Sequence, residues 1–351
     1  MDNERQPASE DALEALDAVV STPPVRRRKN FFEKTMIPLK GDSKKAKQRK
    51  MIFDSCLLVI FVCAVVLSWT LVIEPEIAAR KQAELEMIFA GEEVTDAPTE
   101  PPGPGETAPP PTTAVVVVTT RQSHAKLKER NSDYIGWLKA PGGSINSAVV
   151  KTANNDYYLK RDFDRKPSKY GNPFADWRTS LDPMSTNLII YGHHMNNGTI
   201  FTYLTRYQQP SVVKSNPIIT LEMATGEVYH YKIVSVLAVN GKPADDNGYV
   251  FHANTPDFSG PENFAGYVRQ IKARSLVETD VDVVWGDKLI SLQTCIYTYD
   301  YEFLYVIARR VRPGESLTVT AKANANPRMP QAWYDKKKRD NPFRNAEIWM
   351  P

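Results

Sequence analysis

Residues 289–310 read LISLQTCIYTYDYEFLYVIARR. Two β-rich runs, "DVVWGDKLISLQTC" and "FLYVIARRV", flank a polar-aromatic loop, and Cys295 ends the first run. Runs of the same kind recur upstream: "SAVVKT" (147–152), "NLIIYGH" (187–193), "IITLEM" (218–223) and "VYHYKIVSVLAV" (228–239). In the last of these Tyr229, Tyr231 and Ile233 alternate with polar neighbours, the period of a half-buried strand. "SHAKLKERNSDYIGWLK" (123–139) starts as a helical pattern and runs into a turn, and "DFSGPENFAGYVRQIKARS" reads as one helix after Pro261. Many short strands with few helices predict a mostly-β domain over residues 123–325, a closed or nearly closed barrel with a few peripheral helices. Residues 326–351, with six basic and three acidic side chains, predict a basic polar tail with little structure.

The region before this domain has a different composition. Ser55–Ile73 is 19 residues without a charge, close to the roughly 20 a helix needs to cross a bilayer. "KKAKQRK" (44–50), with five basic side chains, precedes it, and "EPE" follows. The positive-inside rule then predicts a single-pass anchor over 51–74, a cytoplasmic N-terminus and an outward-facing remainder. A cleaved signal peptide fits less well, because the span begins past residue 50 and lacks a clear small-residue cleavage site. Residues 1–50 read as cytoplasmic and polar. Residues 75–122 read as a short helix followed by a linker, since 97–113 hold seven prolines and form a stiff spacer that buries no core.

Charge and cysteine count narrow the chemistry. A net charge of +3 over 351 residues gives no case for nucleic acid. Of the three cysteines, Cys56 and Cys63 fall in the predicted span, so Cys295 is a lone thiol in the outer part. It is either an inert core residue or one kept for reactivity. Five scattered histidines (His124, His193, His194, His230, His252) and one accessible cysteine give no metal-ligand spacing, and no metal or cofactor is expected. His193 and His194 follow an apolar strand and Gly192, so they sit, like Cys295, at a strand end. Strand ends are rigid mounts with open space above them. They suit a Cys–His pair, because a thiol near pKa 8.5 needs a neighbouring base or cation to be a useful nucleophile. A core cysteine and a surface histidine remain the plain alternative on these residues alone.

"YGH" after an apolar strand, followed about a hundred residues later by "LxTC", resembles the sortase family. "NSDYIGWLKAPGGSINSAVVKTANNDYYLKRDF", "NLIIYGHHMNNGTIFTYLTRY" and "ITLEMATGEVYHYKIVSV" are similar to successive segments of class B sortases, so the likeness covers roughly 125–320. The resemblance implies a sortase-like barrel and a cysteine transpeptidase of the Gram-positive cell surface. Cys295 would attack a peptide bond in a C-terminal sorting motif of a secreted protein and form a thioester. An amine of the cell wall or of another protein, such as a pilin, would then accept the acyl group. His193, which directly follows "YG", would be the acid–base residue, with His194 in a surface or supporting role. Thr294 and Ser291 match the family's positions before the cysteine, and Asn155 matches a groove position.

One departure stands out. Sortases carry an arginine on the strand after the cysteine, a donor to the substrate and the developing oxyanion. Aligning "YVIAR" to the class B run puts Phe303 there, and a shift of two residues gives Tyr305. Arg309 shares Phe303's strand face by the two-residue period, but it serves only if the loop after Cys295 slides by about six residues. Its plain reading is a structural or surface base. Three outcomes stay open: an arginine from another loop, a tyrosine donor (Tyr297, Tyr299 or Tyr305), or a catalytically degenerate relative that binds peptides or assists surface assembly. A cell-wall cysteine hydrolase of another fold is disfavoured, since those enzymes place the cysteine at a helix start.

Overall fold

The computed structural model describes residues 43–91, 122–140, 145–195, 198–242, 248–296 and 302–351. The predicted Pro-rich spacer over 97–113 lies outside them. The chain divides into two units, 1–75 and 76–351.

In the first unit, helix α1 (Lys44–Ser68) leads into one π-helical turn (Trp69–Ile73). Its hydroxyls turn back onto its own backbone, Ser55 Oγ donating to the Met51 carbonyl (2.8 Å) and Thr70 Oγ1 to Val66 (3.0 Å). These two hydroxyls are thereby paired without help from the surroundings. Its apolar side chains are exposed, among them Leu58, Ile60 and Phe61. By length and composition the helical stretch can cross a membrane: its most apolar 18-residue window has a mean hydropathy of 2.9 and no buried residue.

The second unit holds most of helix α2 (Glu74–Ala90) and an eight-stranded barrel. Around it the order is β1 (Tyr134–Ala140), β2 (Ile145–Lys151), β3 (Phe174–Ala175), β4 (Asn187–Tyr191), β8 (Leu289–Ile296), β9 (Glu302–Arg310), β6 (Val228–Asn240) and β5 (Ile218–Met223). β5 pairs back onto β1 and closes the ring. The β2–β3 and β4–β8 pairs are parallel, and the rest are antiparallel. The expected mostly-β closed barrel is therefore what the chain forms. Helix α4 (Pro210–Ser215) leads into β5, and β7 (Val277–Thr279) and β10 (Ala321–Ala323) make a separate two-stranded sheet.

Three features depart from the sequence reading. The expected helix (α3, Gln122–Arg130) and turn are present, but the turn leads directly into strand β1, which the sequence reading did not give. Its alternation is broken by Gly136, where a Cβ would lie 2.4 Å from the Glu222 carbonyl oxygen of β5, so only glycine fits. Strand β6 is buried on both faces beyond Tyr231, because helix α5 (Pro261–Arg274) covers its outer side. Ser235 Oγ donates to the Ile271 carbonyl (2.7 Å), and Ser275 Oγ accepts from Val236 N (3.0 Å). The tail 326–351 is folded. Helix α6 (Gln331–Lys337) contributes buried Tyr334, and Trp349 is packed among Phe251, Phe258 and Tyr267 with Nε1 donating to the Asn263 carbonyl (2.9 Å). Its charges obscured two or three apolar anchors that a short segment needs only when a neighbouring helix offers a socket. Gly266 supplies part of that socket, since a Cβ there would meet the Trp349 ring at 2.7 Å.

Helix α2 also belongs with the barrel. Phe89 stacks on Trp137 (centroids 4.2 Å, planes 8° apart), and Leu85 and Phe89 join a second apolar cluster with Tyr158 and Phe163. Lys81 pairs with Asp162 and Asp164, and Arg130 pairs with Glu84 and Asp164.

Candidate active site

β4 and β8 are parallel neighbours that end at the same side of the barrel, in the register Asn187↔Leu289 through Tyr191↔Gln293. Counting the register on two steps sets His193 abreast of Cys295, about one strand spacing away. The backbones stay tied past the ladder, with Gly192 N donating to the Gln293 carbonyl (3.1 Å). His194 Nδ1 donates to the Cys295 carbonyl (2.9 Å), so His194 pins the cysteine's own peptide. Gly192 is required here, because a Cβ would meet the Phe201 ring at 2.6 Å.

Alternation along β8 separates its side chains. Ser291, Gln293 and Cys295 share one face, and Leu292, Thr294 and Ile296 share the other. Cys295 is half-buried and its sulfur is unpaired in any disulfide. Burial pushes its thiol up from the ordinary value, so a neighbouring base is needed to make thiolate near neutrality. His193 Nε2 lies 2.7 Å from the Leu159 carbonyl oxygen. A carbonyl only accepts, so Nε2 carries the proton and Nδ1 of the neutral ring holds the lone pair. The ring also packs on Gly171, which has φ +61° and whose Cβ, if present, would sit 3.0 Å from His193 Cδ2.

The remaining predicted residues fall elsewhere. On β9 Phe303 faces Cys295, Tyr305 faces Gln293 and Arg309 faces Leu289. Six residues of strand, about 20 Å, therefore separate Arg309 from the cysteine's level. Arg309 is fully buried and forks onto Glu315, with Nη2 at 2.6 Å and Nε donating to the Asp282 carbonyl at 3.0 Å. It is a structural cation at the far end of the ladder, and the structure does not bring it to Cys295. Phe303 occupies the place beside the cysteine, its ring against Gly241, where a Cβ would lie 2.5 Å away. Thr294 points to the barrel interior, 2% exposed, and its hydroxyl finds no partner among the described residues. Ser291 is fully buried and donates to Asn187 Oδ1 (2.8 Å). Neither lines an open groove. Tyr297 and Tyr299 lie outside the described residues.

Asn155 does reach the site's side of the barrel. Its Oδ1 accepts from Trp177 N (2.9 Å), and its Nδ2 donates to Asp176 Oδ2 (3.3 Å). Asp176 is the centre of a polar row. Arg178 forks onto it (3.0 and 2.7 Å) and also donates to the Asn254 carbonyl (2.9 Å), and Tyr191 Oη donates to it (2.6 Å). Burial alone would raise the Asp176 carboxyl, but the bonds from Arg178 and Tyr191 outweigh it and hold the carboxyl below its usual range. Across the strands the row continues from Tyr191 through Gln293 to Tyr305, whose hydroxyl donates to Gln293 Oε1. The sequence reading passed over Gln293, though its place two residues before Cys295 puts it on the cysteine's face. Asp176 and Arg178, on a loop, left no signal.

Residues 138–311 match the family model described as Sortase domain. Over 194 residues the chain is 29% identical to sortase B of Staphylococcus aureus (strain NCTC 8325 / PS 47), covering 55% of this chain and 76% of that one. Over 176 residues it is 28% identical to sortase B of Listeria monocytogenes serovar 1/2a, covering 50% and 68%. The crystal structure of Clostridium perfringens sortase B matches with a TM-score of 0.50 and 28% identity over 54% of this chain and 99% of that one. A closed barrel of this topology, a cysteine and a histidine at adjoining strand ends, and these likenesses agree: the chain belongs to the sortase family of cysteine transpeptidases, and its relatives are class B sortases.

Proposed function

We propose that this protein is a membrane-anchored transpeptidase in which Cys295 is the nucleophile and His193 the acid–base residue. The observation that carries the reading is the β4–β8 register, which sets His193 abreast of Cys295 while the Leu159 carbonyl keeps the proton on Nε2. Nδ1 takes the thiol proton as Cys295 Sγ bonds to the carbonyl carbon of a sorting-motif peptide. The protonated ring then gives that proton to the departing amine, and a thioester remains. In the second half an acceptor amine attacks the thioester, His193 takes its proton, and the thiol is restored. The substrates are secreted proteins with a C-terminal sorting motif, and the acceptor is an amine of the Gram-positive wall or of a pilin. The apolar helix over 51–74 is the anchor. The basic run at 44–50 supports a cytoplasmic N-terminus and an extracellular catalytic domain.

A second reading is favoured by Phe303, which stands beside Cys295 where the family's arginine was expected. On that reading the groove binds peptides without turning them over. Full-length protein in detergent micelles, incubated with a library of class B-type sorting peptides, separates the two by intact-mass spectrometry. An acyl adduct lost in Cys295→Ala and His193→Ala, and released by hydroxylamine, is the expected result. Peptide retention with no adduct, in protein whose Cys295 still alkylates, would replace the transpeptidase with the binder.

A further inference from the structure

Among the described residues, none of the side chains placed so far offers a donor to the oxygen of the attacked carbonyl. Arg309 is at the wrong end of β9, and Phe303 has no donor to give. Arg178 is forked onto Asp176, so its charge is already matched. Among the described residues, the cysteine's own face carries one further side-chain donor. Gln293 is two residues before Cys295, about 7 Å along the strand, and is partly exposed. Its Oε1 accepts the Tyr305 hydroxyl, and its Nε2 makes no hydrogen bond among the described residues. With Oε1 taken up by the Tyr305 hydroxyl, the NH₂ group of the amide is the end turned away from Tyr305. Tyr305 is itself 4% exposed and held in the β8–β9 ladder.

We propose that Gln293 Nε2 is the oxyanion donor of this enzyme and that Tyr305 is the residue that positions it. This rests on Cys295 being the nucleophile. When Sγ bonds to the carbonyl carbon, the C=O pair moves onto oxygen, and the thiol proton goes to His193. The Gln293 N–H then faces a full negative charge where it faced a carbonyl dipole before. The bond strengthens in the transition state, which is the condition for it to accelerate the reaction. An uncharged amide replaces a guanidinium in this role, so the pocket selects for the carbonyl oxygen with no preference for an anionic substrate group.

The test needs no knowledge of the sorting motif. p-Nitrophenyl acetate acylates a thiol through the same tetrahedral oxyanion: the S–C bond forms, the C–O bond breaks and nitrophenolate leaves. Iodoacetamide alkylates the same thiol by displacement of iodide, with no oxyanion. Full-length protein in detergent micelles is compared with Gln293→Met, Gln293→Glu and Tyr305→Phe in both reactions, with Cys295→Ala as the blank. The expected result is a drop of about 10²-fold in the nitrophenolate burst rate for both Gln293 variants, the scale of losing one such donor. Tyr305→Phe should lose about 10-fold, since the amide is kept but no longer aimed. Alkylation should stay within about twofold throughout. Burst and alkylation falling together would mean that Gln293 only shapes the strand, and an unchanged burst would mean that it donates nothing; either overturns the proposal alone. A wild-type protein with no burst above Cys295→Ala would overturn the nucleophile assignment and this proposal with it.

Discussion

Replacing Arg309 by methionine distinguishes a structural cation from a catalytic one. The side chain is fully buried. The substitution removes two bonds to the Glu315 carboxylate, one to the Asp282 carboxylate (3.5 Å) and one each to the Asp282 and Arg310 carbonyls. Removing one partner of a buried ion pair costs about 3–5 kcal/mol. Glu315 is 24% exposed and keeps Lys232 Nζ (3.0 Å) and Arg312 N (3.0 Å), which places this case at the lower end, about 3 kcal/mol. Methionine fills much of the space, so little is added for a cavity. For a domain of this size about 3 kcal/mol lowers Tm by roughly 6–12 °C. Arg309 foremost, with Arg312 N and Lys232, holds the Glu315 carboxyl far below the usual range against the opposing effect of burial. A depressed carboxyl stabilises the fold above its unfolded value of about 4.3 and loses that contribution as pH falls toward the folded value. The gap between wild type and Arg309→Met should therefore be flat from pH 8 to about 5 and narrow below about 4. Urea unfolding followed by tryptophan fluorescence measures both, and the p-nitrophenyl acetate burst measures chemistry at a temperature where both proteins are folded. A burst rate within about twofold of wild type is expected. A variant of unchanged stability that had lost its burst would refute the structural assignment and return Arg309 to the active site.

The two adjacent histidines should separate cleanly. His193→Ala should reduce peptide acylation by about 10²–10³-fold, within the range for a general acid–base group. His194→Ala, which loses the bond to the Cys295 carbonyl, should cost about tenfold or less; the reverse order would exchange their roles. In His193→Ala the alkylation rate of Cys295 should climb through pH 8 and beyond, with its inflection above the ordinary 8.5, because burial favours the protonated thiol. An inflection below 8 would reveal a cation at the sulfur that the described residues do not supply. Trp349→Ala should destabilise the barrel by about 3–5 kcal/mol in chemical unfolding. A change below 1 kcal/mol would mean the tail does not hold α5 in place.

The parts of this protein legible in its sequence are those encoded by short-range pattern. An uncharged run of bilayer length can be seen without knowing its neighbours. So can apolar runs ending at "YGH" and at "QTC", which show that a histidine and a cysteine finish two strands. Strand β1 escaped because its glycine answers to a strand more than eighty residues away, and the tail escaped because Trp349 is explained only by the socket at Gly266.

Tertiary structure decided which of the marked residues meet. A sequence says that Cys295 ends a strand; only the parallel β4–β8 pairing says that His193 stands beside it. Likewise Arg309 and Phe303 share a face by count, but the antiparallel β8–β9 register sends one to the cysteine and the other about 20 Å away. Gln293 gained its meaning the same way, through a tyrosine on the neighbouring strand. Pattern along a chain reports which face a side chain takes. Register between strands fixes its partners, and register is set by the packing of the whole barrel.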